Sequence, residues 1–291
     1  MGGNRDMFKI LAKKELGPKI YWMKVEAARI AQKRRPGQFI IIRSDEYAER
    51  IPLTIYKSNP KEGTIEFIFY VFGQSTAKLA TFQAGDYIMD VIGPLGKPTE
   101  ISLFGTVICV GGGAGIPLIY PIARALKEVG NKVISIIGAR TRNLLILEEE
   151  IRSVSDEVRI TTDDGSYVRK GFVTDVLKEM LESGENIDFV LTVGPVPMMS
   201  AVAEITRPYN IKTIASLNPI MVDGTGMCGA CRVTVGGKTC YGCIEGPEFD
   251  AHLVDFKELA ARNSTYKEQE KLSYELFLKQ QSTSGGKNDN E

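Results

Sequence analysis

Four of the chain's five cysteines lie within sixteen residues, at positions 228, 231, 240 and 243. So many thiols in a short stretch restrict its fold, because chance clustering explains them poorly and metal chemistry explains them well. No segment approaches the roughly 20 continuous apolar residues that cross a membrane, and residues 1–6 lack the apolar core of a signal peptide. We therefore expect a cytoplasmic protein, in which clustered cysteines are more often metal ligands or redox groups than disulfides.

Two sets of ligands can be drawn from this segment. In the first, two C-x2-C pairs flank a short hairpin, a pattern typical of a tetrahedral zinc ribbon. In the second, Asp223 replaces a first cysteine and is followed by Cys228, Cys231 and the more distant Cys243. That spacing is typical of plant-type [2Fe-2S] ferredoxins, with an oxygen ligand in the first position and Cys240 as a neighbour. Cysteine spacing alone leaves both sets open.

The overall charge and the histidine content exclude several classes of function. With 36 basic and 36 acidic residues, the chain has no net field to attract nucleic acid or an anionic membrane. Its single histidine, His252, leaves little for a histidine metal shell or a catalytic triad. We therefore expect neither nucleic acid nor membrane as a partner.

The first hundred residues show the pattern of a small antiparallel β-barrel. The β-rich segments at 19–25, 38–43 and 64–71 are separated by proline and glycine turns, with almost no helical periodicity. A length of 291 residues allows at least one further domain. The predicted first domain is residues 1–100.

From Thr106 the pattern changes to alternating strands and helices. Buried strand patterns at 106–110, 132–137, 157–161 and 189–193 alternate with helical patterns at 116–129, 173–181 and 197–206. This order predicts a parallel sheet in a Rossmann-like domain spanning residues 101–215. We expect a cysteine module at 216–265, then a C-terminal helix and a disordered tail over 266–291, with the helical pattern running from Phe256 to about Gln280 and disorder from Ser282.

Glycine-rich turns at the ends of these strands predict a nucleotide site. Backbone N–H groups and a helix dipole can hold a pyrophosphate between the first strand and its helix, although such glycines can also serve only a tight turn. After the second strand an arginine stands where an acidic ribose ligand is usual. The candidate residues are Gly111, Gly112, Gly113, Gly115, Ile116 and Pro117, then Gly138 and Arg140, then Gly194, Pro195, Met198 and Met199.

Three short motifs in the β region are individually weak but occur in an informative order. They are P-G-Q-F at 36–39, R-x-P-x-T at 50–54 and G-x-S-T at 73–76. Followed by V-G-G-G-A-G-I-P at 110–117 and G-P-x-P-M-M at 194–199, this series resembles the ferredoxin-NADP reductase superfamily. With the cysteine module attached, residues 7–265 resemble the dihydroorotate dehydrogenase electron-transfer subunit. They are closer still to the alpha subunits of NADH-dependent reduced ferredoxin:NADP oxidoreductases, also labelled sulfide dehydrogenase subunits.

This resemblance implies a fold, a set of cofactors and specific residues. The fold is a multidomain β plus α/β arrangement with a flavin barrel, a nucleotide domain and a small [2Fe-2S] module. The cluster would be held by Asp223, Cys228, Cys231 and Cys243. The aspartate matches the NADH-dependent reduced ferredoxin:NADP oxidoreductases rather than the dihydroorotate dehydrogenase subunits. FAD would lie along Arg50, Pro52, Leu53, Thr54, Ile68, Phe69, Tyr70, Gly73, Ser75 and Thr76.

The implied activity is electron transfer between NAD(H), FAD and the cluster. Nicotinamide delivers two electrons together and a cluster accepts one, so a flavin must stand between them. The resemblance implies a larger partner subunit that has its own FAD and [4Fe-4S] clusters, resembles the glutamate synthase small subunit, and divides electrons between ferredoxin and NADP. Arg140 favours NADP(H) at this subunit, whereas the resemblance favours NAD(H). The alternatives are a dihydroorotate dehydrogenase electron-transfer subunit and a non-enzymatic zinc-ribbon binding protein.

Overall fold

The computed structural model describes residues 7–284. Its first part is built from eight short strands and two short helices. These are β1 (Phe8–Gly17), β2 (Ile20–Glu26), α1 (Ala28–Lys33), β3 (Phe39–Arg43), β4 (Ile51–Thr54), β5 (Lys57–Asn59), β6 (Thr64–Tyr70), α2 (Gln74–Leu79), β7 (Tyr87–Ile88) and β8 (Asp90–Leu95).

The eight strands form two antiparallel sheets around one core. One sheet has the order β5-β6-β2-β1-β7 and the other the order β4-β3-β8. Residues of both sheets, including Met23, Ile40 and Phe67, are fully buried between them. Alternating strand residues therefore close a small barrel-like body, as the β-rich pattern predicts.

The middle of the chain forms the parallel sheet that the alternating pattern predicts. Its elements are β9 (Thr106–Gly112), α3 (Ile116–Glu128), β10 (Lys132–Ala139), α4 (Glu148–Val154), β11 (Glu157–Thr162), α5 (Val173–Glu182), β12 (Phe189–Val193), α6 (Val196–Thr206) and β13 (Lys212–Ser216). The strands run parallel in the order β11-β10-β9-β12-β13. The order reverses beside β9, so the crevice for a ligand lies at the carboxyl end of that strand.

The C-terminal part contains a hairpin, one more strand and two helices. They are β14 (Arg232–Val235), β15 (Lys238–Tyr241), β16 (Glu248–Asp250), α7 (Phe256–Asn263) and α8 (Lys267–Ser284). Strand β16 pairs antiparallel with β13, which attaches the cysteine segment to the edge of the parallel sheet. Helix α8 returns to the barrel, where the Lys19 Nζ donates to the Tyr274 hydroxyl at 3.3 Å.

One predicted element differs from the structure. The helical pattern expected from Phe256 to about Gln280 is interrupted, because the chain leaves the helix after Asn263 and re-enters it at Lys267. The Ser264 hydroxyl donates to the Ala261 carbonyl at 2.7 Å, and polar residues that bond to nearby backbone favour turns over helix. Residues 282–284 belong to α8, and the rest of the expected disordered tail lies outside the described residues.

The barrel and the parallel sheet also meet in an apolar contact. Tyr56 of the barrel lies 5.0 Å from Tyr120 of α3, measured between ring centroids. Leu144 and Ile146, which follow β10, pack in the same cluster. None of the helices in residues 7–284 is both long and apolar enough to span a membrane.

Candidate functional site

A large cavity lies between the barrel and the carboxyl edge of the parallel sheet. Its volume is about 1030 Å³, at the upper end of what a single small-molecule pocket usually holds. The lining comes from three parts of the chain: strands β4 and β6 of the barrel, the loops after the parallel strands, and segment 216–221, which leads into the cysteine loop. The cavity thus has room and surfaces for more than one ligand.

The barrel wall of the cavity is broad and mostly apolar. It includes Pro52, Leu53 and Thr54 of β4, and Ile68, Phe69 and Tyr70 of β6. The Tyr70 hydroxyl is buried without a hydrogen-bond partner among the described residues, and burial raises the pKa of Tyr70 above its usual range. An unpartnered hydroxyl that stays protonated is a donor for a polar ring or a ribityl chain, so this wall fits a flavin.

Not all of the predicted flavin residues reach the cavity. Thr76 lines it, but its hydroxyl accepts hydrogen bonds from the N–H groups of Phe72 and Gly73, at 3.1 and 3.2 Å. The Ser75 hydroxyl instead donates to Glu49, and neither Arg50 nor Gly73 lines the cavity. The roles predicted for these four residues in flavin binding therefore stay predictions.

The glycine loop after β9 is shaped by close approach of two strands. A Cβ atom at Gly115 would lie 2.3 Å from the Val193 carbonyl oxygen, and one at Gly112 would lie 2.5 Å from the Met198 sulfur. Gly113 has φ of +51° and open space where its Cβ would be. Gly112, Gly113, Gly115 and Pro117 line the cavity, which places a compact backbone surface where a pyrophosphate could bind.

The other predicted nucleotide residues divide between the cavity and the core. Gly138, Arg140, Gly194, Pro195 and Met198 line the cavity. Gly111 does not line it, while the side chains of Ile116 and Met199 are fully buried in apolar clusters. These two side chains pack behind the loops, and the nucleotide-binding roles predicted for all these residues stay predictions.

Several cavity residues were not predicted from the sequence. Thr161, Asp163 and Phe172 stand beside Gly138 and Arg140 at one part of the lining, and Asn218 and Pro219 at another. Asp163 is a polar residue that directly follows β11, and Phe172 is an aromatic residue that directly precedes α5. Because ligands bind at the carboxyl ends of parallel strands, these positions could have identified both residues.

The cysteine loop holds its carboxylate and thiols by backbone hydrogen bonds. The Asp223 carboxylate accepts hydrogen bonds from the N–H groups of Thr225 and Cys228, each at 2.8 Å. These bonds lower the pKa of Asp223, and the bond from Thr225 has the larger effect. The sulfurs of Cys231 and Cys243 lie 3.2 Å apart and are buried. Burial, followed by the contact with Cys231, raises the pKa of the Cys243 thiol, so a metal must displace its proton.

Cys240 lies apart from the other thiols of the module. It packs with Val233 and Phe249 in one apolar cluster, whereas Cys231 and Cys243 belong to a different cluster with Phe39 and Ile41. Within residues 7–284, no three His, Cys, Asp or Glu side chains converge tightly enough to hold a single metal ion. A zinc ribbon requires four ligands around one ion, and of its four candidate thiols Cys240 packs in a different cluster from Cys231 and Cys243.

Two apolar side chains connect the cavity to the cysteine module. Phe39 and Met221 line the cavity and also pack in the cluster that contains Cys231 and Cys243. Both are nearly buried, at 5% and 6% exposure. The cavity and the cluster that contains the buried thiols therefore share these two side chains as a common wall.

A carboxyl group lies close behind this part of the cavity. Glu248 pairs with Ser216 across β16 and β13, and accepts a hydrogen bond from the Thr99 hydroxyl at 2.6 Å. Loss of solvation raises the pKa of Glu248 to about 7, and the bond from Thr99 opposes this shift. Glu248 was not singled out in the sequence, since nothing in its local pattern marks it as buried.

Comparison with known proteins relates both the module and the whole chain to electron-transfer proteins. The family model for the iron-sulfur cluster binding domain of dihydroorotate dehydrogenase B matches residues 218–255. A Thermotoga maritima homolog of the dihydroorotate dehydrogenase B (NAD(+)) electron transfer subunit is 45% identical, covering 96% of this chain and 98% of that protein. The Enterococcus faecalis electron transfer subunit is 33% identical over 87% of this chain and 99% of its own length.

Solved structures agree with these relatives. A chain from the NADH-dependent reduced ferredoxin-NADP oxidoreductase structure, determined to study flavin-based electron bifurcation, is 44% identical with a TM-score of 0.88. The match covers 96% of this chain and 100% of that one. The ferredoxin reductase of carbazole 1,9a-dioxygenase, at 20% identity and a TM-score of 0.57 over 70% of this chain and 65% of that one, is similar in fold. The fold class predicted from the sequence is thereby confirmed.

Proposed function

Since the chain belongs to the family of dihydroorotate dehydrogenase B electron-transfer subunits and their homologs, we propose that it passes electrons between NAD(H) and a partner through FAD and a [2Fe-2S] cluster. The observation that carries this proposal is the wall of Phe39 and Met221, shared by the cavity and the buried thiols. A flavin in this cavity and a cluster on these thiols would both lie against the same two side chains. When bound, FAD accepts an electron pair and releases single electrons.

The chain's own residues supply binding, orientation and exclusion of water. Strands β4 and β6 provide a flat apolar wall for the flavin ring, with the Tyr70 hydroxyl as a donor. The loop of Gly112, Gly113 and Gly115 faces the same cavity and provides N–H groups for the nicotinamide dinucleotide. Asp223, Cys228, Cys231 and Cys243 would hold the cluster, with backbone N–H groups directed at the sulfurs of Cys228 and Cys231.

The proposed domains follow these three sites. Residues 1–100 form the flavin barrel, 101–215 the nucleotide domain, 216–265 the cluster module and 266–291 a C-terminal extension. Strand β16 supports the assignment of the module to the edge of the nucleotide sheet, because it pairs with β13. The boundary near 265 is supported by the turn between α7 and α8.

The family consists of electron-transfer subunits, so the chain works with a larger partner subunit. We propose that this partner carries its own FAD and [4Fe-4S] clusters, resembles the glutamate synthase small subunit, and divides electrons between ferredoxin and NADP. The 44% identity to a chain of the bifurcating enzyme and the aspartate at position 223 support this choice over a dihydroorotate dehydrogenase. Two exposed apolar side chains offer a surface for docking: Met227 within the cysteine loop, at 88%, and Val222 just before it, at 45%.

An absorption spectrum of the purified chain, with iron and acid-labile sulfide assays, tests the proposal. We expect flavin bands, iron, sulfide, and oxidation of NADH by an artificial electron acceptor. A colourless chain containing zinc would instead support the zinc-ribbon alternative. Purification with a dihydroorotate dehydrogenase catalytic subunit would replace the proposed partner but leave the electron path unchanged.

A further inference from the structure

The carboxyl group of Glu248 lies against the wall of the cavity, although it holds no cofactor in the proposed electron path. Glu248 pairs with Ser216 across β16 and β13, and directly opposed residues of antiparallel strands have their side chains on the same face of the sheet. Ser216 lines the cavity, as do Pro247 and Gly37. A Cβ atom at Gly37 would lie 2.9 Å from the Glu248 Oε1. The carboxyl therefore stands directly behind the backbone of a residue that lines the cavity.

Three parts of the chain fix this carboxyl in place. Gly37 belongs to the barrel, Thr99 to the segment that joins the barrel to the parallel sheet, and Glu248 to the cysteine module. The Thr99 hydroxyl donates to Glu248 at 2.6 Å, and the Thr99 N–H donates to the Pro36 carbonyl at 3.0 Å. Gly37 permits this approach, because its φ is +82° and a Cβ atom there would lie 2.2 Å from the Thr99 hydroxyl oxygen. The P-G-Q-F motif thus holds a carboxyl against the cavity wall, two residues before Phe39.

No cation neutralises this carboxyl within residues 7–284. The charged side chains on the elements packed around it are Asp250 of its own strand, Lys212 of β13, Lys97 and Glu100 of the joining segment, Arg34 and Arg35 of the barrel loop, and Glu245 of the preceding turn. Lys212 is paired with Glu100 at 2.8 Å, and none of these groups forms an ion pair with Glu248. The Thr99 hydroxyl is the one hydrogen bond that the described residues give to the carboxyl, against about four that a carboxylate can accept.

One further titratable group interacts with Glu248 from the centre of the parallel sheet. Cys109 of β9 is fully buried, and burial, followed by the charge of Glu248, raises the pKa of its thiol to about 12. Cys109 is therefore uncharged near neutral pH. The ionisation of Glu248 thus depends mainly on its own poor solvation, on Thr99 and on whatever charge the cavity holds.

We propose that Glu248 takes up a proton when a flavin in this cavity is reduced, so that the electron path is linked to protonation of this carboxyl. The inference rests on the proposed function and adds a proton-linked residue to the same site. Addition of a hydride leaves a flavin ring with one more negative charge, and a nearby negative charge favours the protonated form of a carboxyl. Glu248 acts through its charge, from behind the backbone of Gly37.

Electrons and protons balance in this scheme. NADH gives up a hydride and leaves as NAD⁺, so the flavin ring gains two electrons and one proton. The second proton, on Glu248, comes from solvent, and the partly exposed Glu248 side chain provides the route. When the two electrons pass on singly, the ring releases its proton and Glu248 returns its own to solvent.

A redox titration of the flavin bound to the purified full-length chain, repeated between about pH 6 and pH 9, tests this link. Where Glu248 is ionised in the oxidised chain and protonated in the reduced chain, each pH unit should disfavour reduction by up to about a further tenfold. This corresponds to a fall of about 30 mV in the midpoint potential of a two-electron couple. Glu248→Gln keeps an oxygen that can accept the Thr99 hydroxyl, and it should remove the additional slope. Equal slopes in the two proteins would overturn the proposal.

Asp250→Asn is the matched control. It removes a carboxylate from the same strand, where the exposed Asp250 side chain accepts the His252 N–H at 2.9 Å, a bond that asparagine can keep. We expect the wild-type slope in this variant. Loss of the slope in both variants would contradict a specific role of Glu248, because it would reflect the charge of the strand as a whole.

An infrared difference spectrum of the reduced chain minus the oxidised chain detects the protonated carboxyl directly. We expect the band of a protonated carboxyl to grow in the wild type and in Asp250→Asn, and to be absent from Glu248→Gln. If the band grew equally in Glu248→Gln, another carboxyl would take up the proton and the proposal would be wrong.

The failures of the two proposals can be told apart. If the wild-type chain binds no flavin, or if NADH does not reduce the bound flavin, the proposed function is wrong. If NADH reduces the flavin but Glu248→Gln has the wild-type slope, only the proton link at Glu248 is wrong.

Discussion

Two glycine-rich loops face the two ends of the proposed electron path, and they are built differently. The loop at 112–115 joins β9 to α3, and Gly115 is required there by contact with Val193 at the end of β12. The loop at 223–231 contains no helix or strand and is closed mainly by hydrogen bonds to the Asp223 carboxylate. The first site is shaped by the fold itself, whereas the second depends on its ligand for the final arrangement of its thiols.

This contrast has a consequence for how the molecule fails. Substitutions in the nucleotide loop should lower stability by disturbing the sheet, because β9 and β12 are central strands with fully buried residues. Substitutions in the cysteine loop should instead lower the metal content, because the loop contributes only a few buried side chains. Substitutions in the two loops should therefore differ in whether they change stability or cofactor content.

The largest effect is expected from removal of one buried thiol. Cys231→Ala should abolish the cluster, since Cys231 lies against Cys243 and no other thiol is placed to replace it. Iron and sulfide should fall to background while FAD is retained. The matched control is Cys240→Ala, which should keep the cluster because Cys240 packs in a separate apolar cluster. Loss of the cluster in Cys240→Ala, together with its survival in Asp223→Ala, would reverse the ligand assignment.

A smaller effect, on stability, is expected in the nucleotide loop. Gly115→Ala would place a methyl group against the Val193 carbonyl, and overpacking of this kind should lower the free energy of unfolding by about 3 kcal/mol. Gly113→Ala has open space and only a left-handed backbone to accommodate, so about 1 kcal/mol is expected. Urea unfolding measures both. Equal losses in the two variants would show that contact with β12 does not shape the loop.

Glu248 lies where the cysteine module joins the sheet, and its ionisation should make the free energy of unfolding depend on pH. Below about pH 4.5 the carboxyl is protonated in the folded and unfolded chain; between about 4.5 and 7 only the folded chain keeps the proton. The contribution of Glu248 to the free energy of unfolding, on the order of 2 kcal/mol, is therefore complete below about pH 4.5. It is lost as the pH rises through about 7. Glu248→Gln should remove this loss, as seen by urea unfolding at both ends of the range.

The control for this titration is Glu245→Gln. Glu245 is exposed on the adjoining turn, so its replacement removes the same charge without changing the carboxyl of Glu248. If Glu248→Gln and the wild type lost stability equally between the two pH values, the Glu248 carboxyl would not be the group responsible.

The smallest structural effect is expected at the ligand that distinguishes the cysteine loop. Asp223→Cys should keep a full cluster, because a thiolate is the usual ligand at this position of the spacing. The reduction potential should shift, since carboxylate and thiolate differ in hardness and in hydrogen bonding. A redox titration followed by absorbance measures the shift. An unchanged potential would mean that Asp223 does not bind the cluster.

Much of the fold follows from local patterns in the sequence. The strand at 189–193 was predicted with its exact observed bounds, and β9 and α3 within two residues, because buried runs and helical periodicity are local signals. The helical pattern over 256–280 did not show the turn after Asn263, whose side chain bonds to the distant Asn218, although the predicted domain boundary at 265 falls in that turn. Periodicity does not report such contacts.

The candidate site was less accessible from the sequence. Motifs identified the glycine loops, but Ser75 and Thr76 satisfy their hydroxyls within the barrel, which a motif does not reveal. Asp163 was not singled out, because it follows the third strand and only the strand register places it beside Arg140. Strand pairing and hydrogen bonds between distant residues decide which side chains face the cavity.

Electron paramagnetic resonance of the chain during anaerobic addition of NADH tests the shared wall of Phe39 and Met221. Electrons from NADH are expected to reach the cluster without the partner subunit, giving the signal of a reduced [2Fe-2S] centre. Dithionite provides the control, since it should produce the same signal directly. Bleaching of the flavin by NADH with no cluster signal, in a chain whose cluster dithionite does reduce, would contradict an electron path through this wall.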